Sequence, residues 1–249
     1  MTRILAVSLL CCGTALAAQS DDLFVNDPRP MAAMAEKIER QTGWTITYED
    51  PSYQYAADIE DITDEIARDR TSNKRVLGMR ILPFVFTLDG EARKDAVRAV
   101  RALAEHFEMR TGGQKFRVIA EKGFIHLVPQ VNRDAQGVLV EQRPALDTRI
   151  SLPAGKRTLL ADFISEFTQV LSQESGRRID VGTVPLNLMM NTEVELPAFK
   201  NTQARAILRE ALSRSGLKLS WQLFGGPGDE NQVLNVHPVG ARRLGETEP

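Results

Sequence analysis

Glu174-Ser175-Gly176-Arg177-Arg178-Ile179-Asp180-Val181 and Arg214-Ser215-Gly216-Leu217-Lys218-Leu219-Ser220-Trp221 carry the same phrase. A helical run stops at Ser-Gly, and an apolar-alternating stretch starts at once. The phrase occurs twice more, at Gln41-Thr42-Gly43 before Trp44-Thr45-Ile46-Thr47-Tyr48 and at Arg110-Thr111-Gly112-Gly113 before Lys115-Phe116-Arg117-Val118-Ile119. Glycine just past a helix takes the left-handed conformation that closes the last turn. Four such joints predict four helix-to-strand units.

The second half has the clearest pattern. Leu159, Leu160, Phe163, Ile164, Phe167, Val170 and Leu171 recur at spacings of three and four, which predicts an amphipathic helix over 156–173. Strands are predicted at 179–184, up to the breaker Pro185, and at 192–196. Asn201 or Thr202 is expected to cap a helix carrying Ala204, Ile207, Leu208, Ala211 and Leu212. Leu217, Leu219, Trp221 and Leu223 alternate, and Gly225-Gly226-Pro227-Gly228-Asp229 turns the chain into 233–237, a hairpin.

The first half repeats this order. Met31, Met34, Ala35 and Ile38 mark one helix, and Ala96, Val97, Val100, Leu103, Ala104 and Phe107 mark a second over 90–109, capped by Asp89. Pro83 places the strand 81–88 at an edge. A hairpin folds around Glu121-Lys122-Gly123. The first half also carries an enlarged segment, 51–80, acidic then basic. The expectation is α+β: two small domains, 23–130 and 149–240, each with two helices on a three- to four-stranded mixed sheet. A polar linker, 131–148, joins them and a flexible tail, 241–249, follows. No Gly-rich phosphate loop follows a first strand, which argues against a doubly wound nucleotide fold.

Residues 1–18 read as an export leader: Arg3, an apolar run from Ile4 to Leu10, and Ala15-Leu16-Ala17 before cleavage after Ala17 or Ala18. The run is shorter than the roughly 20 residues that span a bilayer, and no later run reaches that length, so no transmembrane segment is expected. Cys11 and Cys12, the only cysteines, fall inside the leader. A lipid anchor wants a small residue before the cysteine, and Leu10 stands there. The mature chain then has no thiol for catalysis, metal binding or a disulfide. Losing Arg3 leaves 30 basic residues of 31 against 33 acidic, a charge near −3. The signs are interspersed, so no nucleic-acid face is implied.

Asp58, Glu60, Asp61, Asp64 and Glu65 form the densest acidic run, but it lacks the glycine and terminal glutamate of a calcium loop. Ile59, Ile62 and Ile66 fall instead at helical spacing, predicting a solvated helix face. His106, His126 and His237 show no metal-ligand spacing. No Gly-x-Ser-x-Gly, Ser-x-x-Lys or His-Glu-x-x-His motif occurs. Catalytic, cofactor and metal residues are therefore assigned to none. Glu49-Asp50 beside tyrosines allows a secreted hydrolase only if two acids face each other across a cleft. Tyr53 and Tyr55, aromatics in a polar loop, are the candidates for contact with a partner, with packing beneath the enlarged segment as the alternative.

The order of these elements resembles the small periplasmic modules of bacterial secretins and the secretin and TonB short N-terminal (STN) module. The resemblance covers roughly 149–239: 160–181 matches a first helix, glycine and strand, and 191–223 matches a middle strand, second helix, glycine and final strand. The stretch 23–130 matches more loosely, and Asp27-Pro28-Arg29-Pro30 and Gly43-Trp44-Thr45-Ile46-Thr47-Tyr48-Glu49-Asp50-Pro51 also resemble uncharacterised exported bacterial proteins. The resemblance implies a periplasmic or secreted, non-enzymatic protein that binds another envelope protein or peptide by a sheet edge or helix face. A carbohydrate- or peptidoglycan-binding protein, with Tyr53, Tyr55 or Trp221 as a flat platform, is the alternative.

Overall fold

A computed structural model describes residues 21–66, 76–90, 92–153, 157–227 and 231–240. The leader 1–18, the tail 241–249 and most of the basic half of the enlarged segment lie outside these residues. The fold is α+β.

The first half runs β1 (Asp21–Asp27), α1 (Pro30–Thr42), β2 (Thr45–Glu49), β3 (Ile59–Asp61), α2 (Thr63–Ile66), β4 (Leu77–Met79), β5 (Leu82–Leu88), α3 (Ala96–Thr111), β6 (Lys115–Glu121), β7 (Phe124–Arg133) and β8 (Leu139–Glu141). The second runs β9 (Arg149–Leu152), β10 (Thr158–Leu159), α4 (Leu160–Ser175), β11 (Ile179–Val181), α5 (Leu186–Met189), β12 (Glu193–Val194), β13 (Phe199–Gln203), α6 (Ala204–Arg214), β14 (Leu219–Gly225) and β15 (Gln232–Pro238).

The pairing repeats as the sequence does. In the first half β2 lies parallel to β7, which is antiparallel to β6, while β1 and β5 form a separate antiparallel ribbon. In the second, β11 lies parallel to β15, β15 is antiparallel to β14, and β9 and β13 make the ribbon. Each pair of long helices packs between its ribbon and its three strands. All four joint glycines sit at φ near +70°: Gly43 at 72°, Gly112 at 67°, Gly176 at 69° and Gly216 at 70°. A Cβ is unfavourable there, which is why glycine stands at each joint.

The halves are not held apart. β14 pairs in parallel with β2, giving the continuous strand order β11-β15-β14-β2-β7-β6, with β8 attached to β7. Register then sets the layers. Gln222 lies opposite Tyr48 and Leu223 opposite Glu49, and side chains alternate across a sheet. Tyr48 belongs to the core under α1 and α3, whereas Leu223 belongs to the core under α4 and α6. The two cores therefore sit on opposite faces of one sheet. The stretch read as a linker is ordered into this body: β7 extends to Arg133, β8 pairs back on it, and Ala145 and Leu146 are buried in the second core.

Three local expectations are corrected. The acidic run is not a helix face: 56–58 make a single 3-10 turn, β3 pairs with β4, and only 63–66 are helical. Cross-strand pairing and Ile62 packing over Gly78 override the helical spacing; a Cβ on Gly78 would stand 2.6 Å from Ile62 Cδ1. Asp95, not Asp89, caps α3, accepting from the Arg98 N–H at 3.0 Å. Asn201 and Thr202 do not cap α6, because 199–203 are committed to pairing with β9; the Ala204 N–H donates to the Thr148 carbonyl at 2.9 Å instead.

Candidate functional site

β2 is the strand on which the halves meet, and its end is fixed by charge. Asp50 is 4% exposed. Its Oδ2 accepts from Arg29 Nε at 2.6 Å and from the Gly225 N–H at 2.9 Å, and Arg29 Nη2 donates to the Gly225 carbonyl at 2.8 Å. Arg29 also lies over the Phe224 ring at 4.4 Å. Burial pushes the Asp50 carboxyl up from the usual range, and the Arg29 guanidinium opposes that rise. Tyr53 completes the cluster, its hydroxyl donating to Asp50 Oδ1 at 3.2 Å.

Glu49, the preceding residue, points to the other face. Arg205 from α6 bridges it to Asp147, so strand, helix and connecting turn share one buried guanidinium. Burial raises the Glu49 carboxyl, partly offset by Arg205. On the same face Arg209 of α6 pairs with Glu121 of β6. His126 is fully buried; its Nδ1 lies 2.7 Å from Thr47 Oγ1 and its ring 5.2 Å from that of Trp221. Burial, then the nearby Arg205, lowers its pKa to about 3, so the imidazole is neutral. Glu49 and Asp50 are thus each paired with a different arginine on opposite sides of one strand, and do not face each other across a cleft. His106 lies against Phe84 and His237 Nε2 stands 2.9 Å from Glu39 Oε2, so the three histidines are apart. No group of three or more metal-ligating side chains gathers among the described residues.

Beyond the end of β2 the enlarged segment encloses a cleft of about 390 Å³. Met31 of α1, Tyr48 of β2, Phe107 of α3 and Phe116 of β6 line its base; Tyr53, Ala57, Met79 and Arg80 wall it from the enlarged segment. Tyr53 is therefore a wall residue tethered through Asp50. Tyr55 is half-buried against the turn after β7: the Arg133 guanidinium stands 5.7 Å from its ring centroid, and a Cβ on Gly137 would come within 2.8 Å of it. The structure does not bring the two rings together into a platform, and Trp221 is fully buried in the second core. Arg29, Arg80 and Arg110 were not singled out by sequence reasoning. No local motif marks them: Arg29 meets Asp50 from 21 residues away, and Arg80 and Arg110 reach one cleft from separate segments.

The sheet edges differ in protection. β6 carries exposed Lys115, Arg117 and Glu121, charges that discourage pairing. β11 has only three residues. On the outer edge of β1, the Phe24 carbonyl accepts from Lys37 Nζ at 2.5 Å. β5 is seven residues long and lacks such a guard. Pro83, paired opposite Asn26, has no N–H. By the two-residue period the N–H and C=O groups of Val85 and Thr87 then point away from β1, and no backbone partner takes them among the described residues. A groove of about 490 Å³ runs beside them, lined by Val85, Phe86 and Thr87 on one side and Ala102, His106 and Met109 of α3 on the other. Val85 is 47% exposed and Met109 74%.

No helix among the described residues is long and apolar enough to cross a membrane. Compared with protein-family models, curated proteins and solved structures, the chain finds no match.

Proposed function

We propose that this is an exported, non-catalytic binding protein of the bacterial cell envelope, whose two secretin-like modules take up an extended segment of another envelope protein or peptide. The observation that carries the reading is the open edge of β5. It offers the backbone groups of Val85 and Thr87 beside a groove whose far wall includes Ala102 and Met109. An added strand gains main-chain hydrogen bonds from such an edge, and its alternate side chains find the groove. A neutral, partly apolar segment suits the lining. The repeated ribbon–helix–sheet order and the leader-like residues 1–18 support an envelope module.

The test is site-specific photo-crosslinking in cells, with the reactive residue at Val85 or Met109 and, for comparison, at Arg117 on β6. Crosslinks to one envelope protein from the first two positions are expected. Val85→Pro removes an outward N–H without touching the bonds to β1, and should weaken that capture at least tenfold. Capture only from Arg117, or capture unaffected by Val85→Pro, overturns the reading.

A further inference from the structure

The cleft beyond β2 points to a second ligand of a different class. Its base is apolar: Met31, Tyr48, Phe107 and Phe116 are all buried around it. Its polar groups fall into two sets. In the first, Gln114 Nε2 donates to Asn132 Oδ1 at 2.6 Å and to Asp58 Oδ2 at 3.2 Å, and Arg133 Nη1 lies 3.5 Å from Asp58 Oδ1. This set is self-satisfied, and its one carboxylate is neutralised. The second set is Arg80 and Arg110. Both are exposed on the cleft lining and make no ion pair among the described residues. The cleft therefore presents an apolar floor and two positive charges that no carboxylate among the described residues pairs, and its volume of about 390 Å³ falls in the range that encloses a small molecule.

We propose that this cleft binds a small amphiphilic carboxylate, its apolar chain or ring against Met79, Ile81, Phe107 and Phe116 and its carboxylate held by Arg80 and Arg110. Guanidinium forks suit a carboxylate better than any neutral head group. The cleft adjoins the β5 groove at Arg110, the one residue common to their linings, whereas Arg80 and Ala57 belong to the cleft lining alone. The Arg80 and Ala57 variants test it whether or not β5 captures a strand.

The test is calorimetric titration of the whole protein with dodecanoate, and with dodecyltrimethylammonium as the cation of the same chain. One saturable dodecanoate site is expected, with no comparable site for the cation. Arg80→Gln and Arg110→Gln should each weaken dodecanoate about tenfold, the effect of one charged hydrogen bond. Ala57→Trp, on an exposed wall residue, should fill the cleft and abolish binding, while Val85→Pro should leave it unchanged. Circular dichroism checks that each variant is folded. Equal binding of both amphiphiles, a dodecanoate site that survives Ala57→Trp, or no dodecanoate binding at millimolar concentration each overturns the proposal.

Discussion

Between β2 and β5 the first half carries residues 50–81; between β11 and β13 the second carries 182–198. The frames beneath are paired alike, so the difference lies in the connection. In the second half Met189, Val194 and Leu196 turn inward, at 1%, 1% and 6% exposure. The space at the end of β9, the first turn of α4 and the start of β13 is then only about 50 Å³. In the first half the longer segment carries the antiparallel β3–β4 pair and lines the 390 Å³ cleft. A repeated frame fixes where a connection emerges; the length and polarity of that connection decide whether the position is filled or open.

The comparison breaks most readily at the junction the halves share. Arg205 is 5% exposed and holds Glu49 of one half to α6 of the other. Arg205→Ala leaves a buried carboxyl without its partner and should cost about 3–5 kcal/mol in urea unfolding. Hydrogen exchange should then rise in both halves, because β2 and β14 are one sheet. Loosening confined to the second half would mean that the halves are energetically separate.

Next comes pH. Above pH 6.5, the ordinary value, His126 is neutral in both folded and unfolded chains. Between there and about 3 only the unfolded chain takes up the proton. Stability therefore falls as pH falls through that window, by at most about 1.4 kcal/mol per unit. Glu49 and Asp50, pushed up by burial, act in the opposite sense and blunt the fall. His126→Phe should flatten the dependence of the urea midpoint between neutral pH and about pH 5. An unchanged slope would sink this account of the junction.

The repeat itself is sharpened by its glycines. Gly176 has φ +69° and nothing within 4 Å of an added Cβ, so Gly176→Ala should cost about 1 kcal/mol from backbone conformation alone. Gly43→Ala, at φ +72° with Lys218 Nζ at 3.4 Å, should match it within a few tenths if the joints are equivalent. Asn at either position should cost less than Ala, and calorimetric melting measures all of these. Smallest of all, Glu210→Gln removes a half-exposed pair with Arg214 within α6 and should shift stability by about 0.3–0.5 kcal/mol.

Much of the frame was legible because its signals are local. Helix periodicity named Met31, Met34, Ile38, Leu103, Phe163, Phe167, Ile207 and Leu208, all of which are buried. The Lys122-Gly123 turn, with φ 46° and 86°, is the hairpin read from Glu121-Lys122-Gly123. In the acidic run, three isoleucines at helical spacing compete with pairing to β4, which puts Glu60 opposite Gly78, and the pairing wins. Of the candidate site, Tyr53 is legible as a loop aromatic, whereas its tether to Asp50 and its place in a cleft wall depend on residues brought together only by the fold.

Glycine stops, apolar periodicity and turn chemistry act over a few residues, so the chain alone determined that one α+β unit is written twice. Which strand of one unit meets which of the other, that the two cores lie on opposite faces, that Arg29 and Arg205 meet neighbouring carboxylates on opposite sides of β2, and that Arg80 and Arg110 line one cleft were decided only in three dimensions. Sheet register and ion pairing depend on contacts between distant segments, and no short window of sequence contains both partners.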